Sequence, residues 1–226
     1  MKIAVLQFPG SGSDRDTVDV FRHGLGLSAE LVWHKETGFG EADLVVLPGG
    51  FAFGDYLRCG AIASHSPIMQ AVKDHADRGG LVLGIGNGFQ ILCEAGLLPG
   101  ALIENVSLEF RSETVALEVE NATETWKRST LGEAIRLPVA HGKGNYQADD
   151  VLLQRLEENH QILFRYDEGN FAEKVNGSVK RIAGIRNEAG TVFGMMPHPE
   201  RAMERFHPSQ DGRKVIEAIL QLASSR

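Results

Sequence analysis

Cysteine is scarce in this sequence: Cys59 and Cys93 are the only two in 226 residues. They offer neither a disulfide framework nor a paired metal-ligand spacing, and two free thiols fit a reducing compartment, which points to the cytoplasm. Basic residues are also in deficit. Lys and Arg number 23 against 30 Asp and Glu, a formal net charge of −7, so the chain is poorly suited to neutralising phosphates and no nucleic-acid partner is expected. Long apolar runs are missing as well. Ile3-Ala4-Val5-Leu6 is far shorter than the ~20 residues that span a bilayer. It has no basic leader or small-residue cleavage site, so no membrane association is expected. With no internal repeat, low-complexity tract or linker-like stretch, residues 1–226 read as one domain.

What is present is the composition of an ordinary globular protein, 42% hydrophobic and 23% charged, enough to build a sizeable core. Residues 2–8 read as a buried strand, broken by Pro9-Gly10-Ser11-Gly12-Ser13. Asp14 then opens a helical pattern with Val18, Phe21 and Leu25 on one face. Short apolar runs follow at 29–33 and 43–47, the second stopped by Pro48-Gly49-Gly50. Ser66-Pro67 predicts a helix start with a capping hydroxyl, and Gly79-Gly80 the stop. Residues 81–85 read as a fourth buried strand and 87–95 as the helix after it. Continuous apolar strands separated by helices imply a parallel sheet covered on both faces. From Glu109 onward Phe110, Val115, Leu117 and Val119 nearly alternate, which suggests an added antiparallel layer. Further β-like runs stand at 135–140, 162–166, 182–185 and 191–195, and a last helix covers 213–222.

Three loops at strand ends carry the chemistry. Leu83-Gly84-Ile85-Gly86-Asn87-Gly88-Phe89 follows a strand and opens a helix, the setting of a nucleophile elbow, Gly-x-nucleophile-x-Gly. There a strained turn lifts the reactive side chain to the carboxyl ends of the strands, and the next backbone N–H helps to hold an oxyanion. Gly84 and Gly88 fit, and Gly86 has no side chain to react. The bland reading is a tight strand-to-helix connection. A dinucleotide-binding loop fits less well, because its third glycine would fall on Phe89 and its strand would open the fold. The second loop, Met195-Met196-Pro197-His198-Pro199-Glu200-Arg201, holds a carboxylate two residues from an imidazole, so that Glu200 can orient His198 to deprotonate a thiol and later protonate a leaving amine. The third, Pro48-Gly49-Gly50-Phe51-Ala52-Phe53-Gly54-Asp55-Tyr56, has paired glycines able to turn N–H groups toward an oxyanion and aromatic residues able to wall a pocket. Taken singly, the last two are also plausible as ordinary turns. Together they stand where open α/β sheets bind ligands.

These residues resemble the class I, triad-type glutamine amidotransferases, and among them the glutaminase subunits of phosphoribosylformylglycinamidine synthases in purine biosynthesis. The resemblance covers nearly the whole chain and rests on Phe8-Pro9-Gly10-Ser11, Pro48-Gly49-Gly50-Phe51, Gly54-Asp55-Tyr56-Leu57-Arg58-Cys59-Gly60, Asn87-Gly88-Phe89-Gln90, Pro138-Val139-Ala140-His141-Gly142 and Met196-Pro197-His198-Pro199-Glu200-Arg201. It implies an α/β, flavodoxin-like fold with a mostly parallel central sheet, helices on both faces and an added antiparallel layer. It also implies a cysteine at position 86, activated by His198 and Glu200, that forms a glutamyl thioester with glutamine and releases ammonia. Gly50 or Phe51 and Asn87 would supply the oxyanion hole, and Gln90 and His141 would stand near the glutamine. No cofactor is expected on this chain. ATP and magnesium would sit on a larger synthetase subunit, and a third small subunit would complete the assembly.

The sequence departs from that pattern in two places. Gly86 stands where the family has Cys, and Gly12-Ser13 where Asn-Cys is expected, in a loop that would touch a partner or shape the elbow. Cys93 lies seven residues beyond position 86, about 10 Å farther along a helix, and Cys59 more plausibly packs than reacts. The chain thus reads as an amidotransferase subunit disabled in glutamine hydrolysis. A non-catalytic scaffolding or regulatory subunit is the alternative, and a small hydrolase or chaperone with a cysteine elbow is a third reading that the late His198-Pro199-Glu200 disfavours. His23, His34, His65, His75 and His160 show no metal-ligand spacing.

Overall fold

The computed structural model describes residues 1–120, 122, 126–168, 171 and 176–224. Among the described residues eleven strands run in chain order: β1 (Lys2–Gln7), β2 (Ser28–Trp33), β3 (Leu44–Leu47), β4 (Leu81–Ile85), β5 (Ala101–Ile103), β6 (Arg111–Val119), β7 (Ala134–His141), β8 (Asn145–Gln147), β9 (Ile162–Tyr166), β10 (Ile182–Arg186) and β11 (Val192–Met195). The helices are α1 (Asp14–Asp19), α2 (Ile68–Asp77), α3 (Asn87–Glu94), α4 (Arg128–Leu131), α5 (Asp150–Glu158) and α6 (Asp211–Ser224). No helix among the described residues is long and apolar enough to cross a membrane.

Nine strands form one sheet in the order β2-β1-β3-β4-β11-β10-β9-β6-β7. The run from β2 to β11 is parallel, and β10, β9, β6 and β7 extend it by antiparallel pairings. The expected antiparallel addition therefore has two parts, this extension of the main sheet and a separate pair of β5 with β8. Period-2 alternation divides the core between the two faces. Ile3, Val5, Leu44 and Val46 pack with Val18 and Phe21 and with Val215, Ile216 and Ile219 of α6. Ala4, Leu6, Val45 and Leu47 pack with Ile68, Met69 and Val72 of α2 and with Phe89, Ile91 and Leu92 of α3. Because both faces are covered, β3 is buried along its whole length, which is why it reads as an unbroken apolar run. Pro138 falls inside β7, where it is tolerated because β7 is the last strand of the sheet and one of its edges needs no donor.

Two local expectations are corrected. The Ser66 hydroxyl makes no capping bond to α2 and instead meets Nδ1 of the buried His34 at 3.1 Å, since a buried ring nitrogen competes for it. The first helix does not run on regularly to Leu25: α1 is followed by a wider π turn at Val20–Gly24. That turn still buries Phe21.

The parallel arrangement brings the carboxyl ends of β1, β3, β4 and β11 to one edge. At that edge α3 lies almost on the backbone of β3, for a Cβ on Gly88 would stand 1.9 Å from the Leu47 carbonyl oxygen. Gly88→Ala is therefore expected to lower stability by about 3 kcal/mol through forced separation of helix and strand, as measured by urea unfolding.

Candidate active site

The elbow is built by the end of β4. Gly86 has φ 53° and ψ −109°, a left-handed backbone that costs a side-chain-bearing residue about 1–3 kcal/mol. Its N–H donates to the Met195 carbonyl at 2.8 Å, and its own carbonyl accepts from Phe89 N–H at 3.0 Å. The first bond ties it to β11, the second to α3. β11 pairs in parallel with β4, and the chain leaving it carries Met196, Pro197 and His198. The His198 N–H donates to the Pro138 carbonyl at 2.8 Å, which anchors this exit to β7.

His198 Nδ1 lies 2.7 Å from Glu200 Oε1, with both side chains buried. A carboxylate accepts, so Nδ1 carries the proton and Nε2 is left as the basic nitrogen. The other carboxylate oxygen, Oε2, is buried with no hydrogen-bond partner among the described residues, so Glu200 is committed to the imidazole alone. A Cβ placed on Gly86 would lie 3.0 Å from both Cε1 and Nε2 of His198. Position 86 and the His198 imidazole face one another.

The loop after β3 closes the third side. Gly50 bridges to Ser11, and the Phe51 N–H donates to the Gly10 carbonyl at 2.9 Å. Of the two donors named from sequence, Phe51 is thus spent on the backbone, and the Gly50 N–H has no partner among the described residues. Gly12 and Ser13, where the resemblance led to the expectation of Asn-Cys, hold this same loop: both donate N–H bonds of 3.1 Å to the Gly49 carbonyl, while Arg201 donates to the Ser13 hydroxyl at 2.9 Å. Phe53, Asp55 and Leu57 are all left-handed, with φ near 55°, 54° and 63°. Strain of this kind persists only where its surroundings enforce it. Here Asn87 does so, since its Oδ1 accepts from Ala52 N–H at 3.0 Å and its Nδ2 donates to Asp55 at 3.3 Å and to Gln90 Oε1 at 2.8 Å. Gln90 in turn donates to the Lys143 carbonyl at 2.7 Å.

Gly50, Phe51, Asn87, Gln90, His141 and His198 consequently line one cavity of about 180 Å³, to which Gly86 is adjacent. Asp55, Cys59, Phe110 and Lys143 also line it and were not picked out as site residues from sequence. The ring centroids of Phe51 and Phe110 approach to 6.1 Å across the mouth. Phe110 sits just before β6 in a run whose only visible signal was alternation, and its position depends on the pairing of β6 with β7. The other aromatics of the third loop turn elsewhere: Phe53 stacks edgewise on His34, and Tyr56 is exposed. Burial, helped by the Asp55 carboxylate, pushes the Cys59 thiol up to about 12, so this cysteine is inert at neutral pH. Cys93 lies outside the cavity lining, its thiol also pushed up by burial.

His141 is buried, and Asn105 fixes its tautomer. The Asn105 Oδ1 accepts from Gly144 N–H at 3.0 Å while its Nδ2 donates to the Glu109 and His141 carbonyls, so the His141 Nδ1 at 3.1 Å from Oδ1 must be the donor. Burial, reinforced by the neighbouring His198, holds His141 down to about 4. Above pH ~6.5 both folded and unfolded chains keep this imidazole neutral, whereas between about 6.5 and 4 only the unfolded chain takes up the proton, so stability falls as pH drops. Between pH 7 and pH 5 wild type is expected to lose about 2 kcal/mol more than His141→Gln, measured by denaturant titration at each pH.

Residues 1–219 match the CobB/CobQ-like glutamine amidotransferase domain family. The sequence is 52% identical to phosphoribosylformylglycinamidine synthase subunit PurQ of Gloeobacter violaceus over 228 aligned residues, covering 99% of this chain and 98% of that one. Among solved structures it is similar to PurLQS from Thermotoga maritima, at 41% identity, TM-score 0.82 and 98% coverage of both chains. The glutaminase domain of Trypanosoma brucei CTPS with bound acivicin shares the fold, at TM-score 0.62 and 13% identity over 98% of this chain and 94% of that one. The chain therefore belongs to the CobB/CobQ-like glutamine amidotransferase family, in its branch of phosphoribosylformylglycinamidine synthase PurQ subunits.

Proposed function

We propose that this chain binds glutamine and a larger synthetase subunit as PurQ proteins do, but does not hydrolyse the amide, because Gly86 occupies the nucleophile's position. One observation carries the reading: a Cβ at position 86 would stand 3.0 Å from the Nε2 of an imidazole already oriented by Glu200. In an intact site the thiol on that carbon would give its proton to His198, and the sulfur would attack the glutamine side-chain carbonyl. The carbonyl oxygen, as it gains charge, would meet the N–H groups of Gly50 and Asn87. The imidazolium would then protonate the departing ammonia. Every part of that sequence except the sulfur has its residue here.

Gln90, His141, Asp55 and Lys143 line the rest of the cavity, and we assign them to the glutamine. The names of the relatives, a synthase subunit PurQ and a PurLQS structure, support assembly with other subunits of a synthase; we assign ATP and magnesium to a larger one of these, a third small subunit to the assembly, and no cofactor to this chain. Removal of a covalent nucleophile leaves binding and oxyanion stabilisation intact, yet costs several powers of ten in rate.

Gly86→Cys is expected to cost about 1 kcal/mol of stability, because the left-handed elbow penalises a Cβ, and to release glutamate when the synthetase subunit is present. Wild type should lie at least ~10⁴-fold lower. Adding Glu200→Gln to Gly86→Cys should lower kcat by about 10²–10⁴-fold. Absence of glutamate release from Gly86→Cys with its partner would overturn the elbow assignment. A synthetase reaction fed by ammonium salts and stimulated by the wild-type chain regardless of glutamine would favour pure scaffolding.

A further inference from the structure

We propose that position 86 is a binding site for a diffusible thiol of one carbon, methanethiol, which His198 deprotonates and which cleaves the glutamine amide in place of a side chain. The inference rests on the reading of Gly86 as the nucleophile position. It goes further in giving this chain a conditional activity of its own.

The acid–base machinery is complete without residue 86. His198 Nδ1 is held by Glu200 at 2.7 Å, which directs Nε2 at the space beside Gly86. Apart from Gly86 and its chain neighbours, the nearest atoms to a Cβ at that point are His198 Cε1 and Nε2 at 3.0 Å and the Gly49 Cα at 3.8 Å. A carbon fixed to the backbone must tolerate the tight ring contact and the φ of 53°. A free methanethiol molecule has no bond to the Gly86 Cα, so its carbon stands ~3.5–4.0 Å from that atom, about 2 Å beyond the Cβ point and away from the His198 ring, and it carries no backbone strain. The space adjoins the cavity of about 180 Å³ that presents Asn87, Gln90 and His141, so nucleophile and amide can be held together. No resident thiol competes, because burial and Asp55 keep Cys59 protonated.

The chemistry balances without an oxidant or reductant. His198 Nε2 takes the thiol proton as sulfur forms a bond to the side-chain amide carbon, and negative charge passes to the carbonyl oxygen. Collapse breaks the C–N bond, and the imidazolium proton goes to nitrogen, which leaves as ammonia. Water, deprotonated by His198, then forms a C–O bond to the thioester carbon. The C–S bond breaks and the thiol is regenerated, so the net change is glutamine and water to glutamate and ammonia. A free thiol must first bind whereas a tethered one is always in place, so the rate with millimolar thiol should stay below that of Gly86→Cys.

The test is glutamate release from glutamine by the full chain with the synthetase subunit, over a methanethiol series with protein-free blanks. Saturable stimulation of at least ~10-fold is expected. Ethanethiol should be weaker, and the effect should vanish in His198→Ala and in Gly86→Ala, whose Cβ fills the space. The size series stands by itself if Gly86→Ala fails to fold. No stimulation, or equal stimulation by ethanethiol or in His198→Ala, overturns the proposal. If Gly86→Cys cleaves glutamine while the thiol does nothing, this inference alone fails. If neither cleaves, the elbow reading falls with it.

Discussion

The parallel pairing of β4 with β11 is the contact on which the site depends. These strands are neighbours in the sheet although more than a hundred residues separate them in the chain. Their last hydrogen bond, Gly86 N–H to the Met195 carbonyl, sets the elbow beside the strand whose exit carries His198. Slippage by one residue would reverse the faces of β11 and carry its exit away from the elbow. The buried apolar faces of both strands, covered by α3 on one side and by α6 on the other, make that register costly to change.

Around this contact the polar groups are arranged so that few are idle. Asn87 is central, since its amide joins the strained loop after β3 to Gln90, and Gln90 reaches the Lys143 carbonyl. Asn105 does the same for the loop after β7, with three backbone partners and His141. Buried polar groups left unpaired are costly, so networks of this kind hold loops in one arrangement. Low dielectric has opposite effects on two neighbours in the cavity: it keeps His141 neutral and Cys59 protonated.

Gly86 has a backbone conformation that a side chain strains and glycine adopts freely. The His198 imidazole faces it, with Nδ1 held by a Glu200 carboxylate whose other oxygen has no hydrogen-bond partner among the described residues.

Most of the parallel half was legible in the sequence, because strands covered on both faces must be continuously apolar and their ends are marked by glycine and proline. The His198-Pro199-Glu200 turn was legible for a similar local reason, as two residues of separation suffice to join imidazole and carboxylate. Phe110, Asp55 and Lys143 were not, since each reaches the cavity through pairings or strained turns that no short-range pattern encodes. The capping role read for Ser66 was displaced by a contact with His34, a residue distant in sequence. That the Phe51 N–H is taken up by the Gly10 carbonyl was likewise not visible in the sequence. By itself, then, the sequence determined which residues stand at the strand ends and that position 86 lacks a side chain. Only the tertiary structure decided that His198 faces position 86, because that approach is made by hydrogen bonds and packing between strands far apart in the chain.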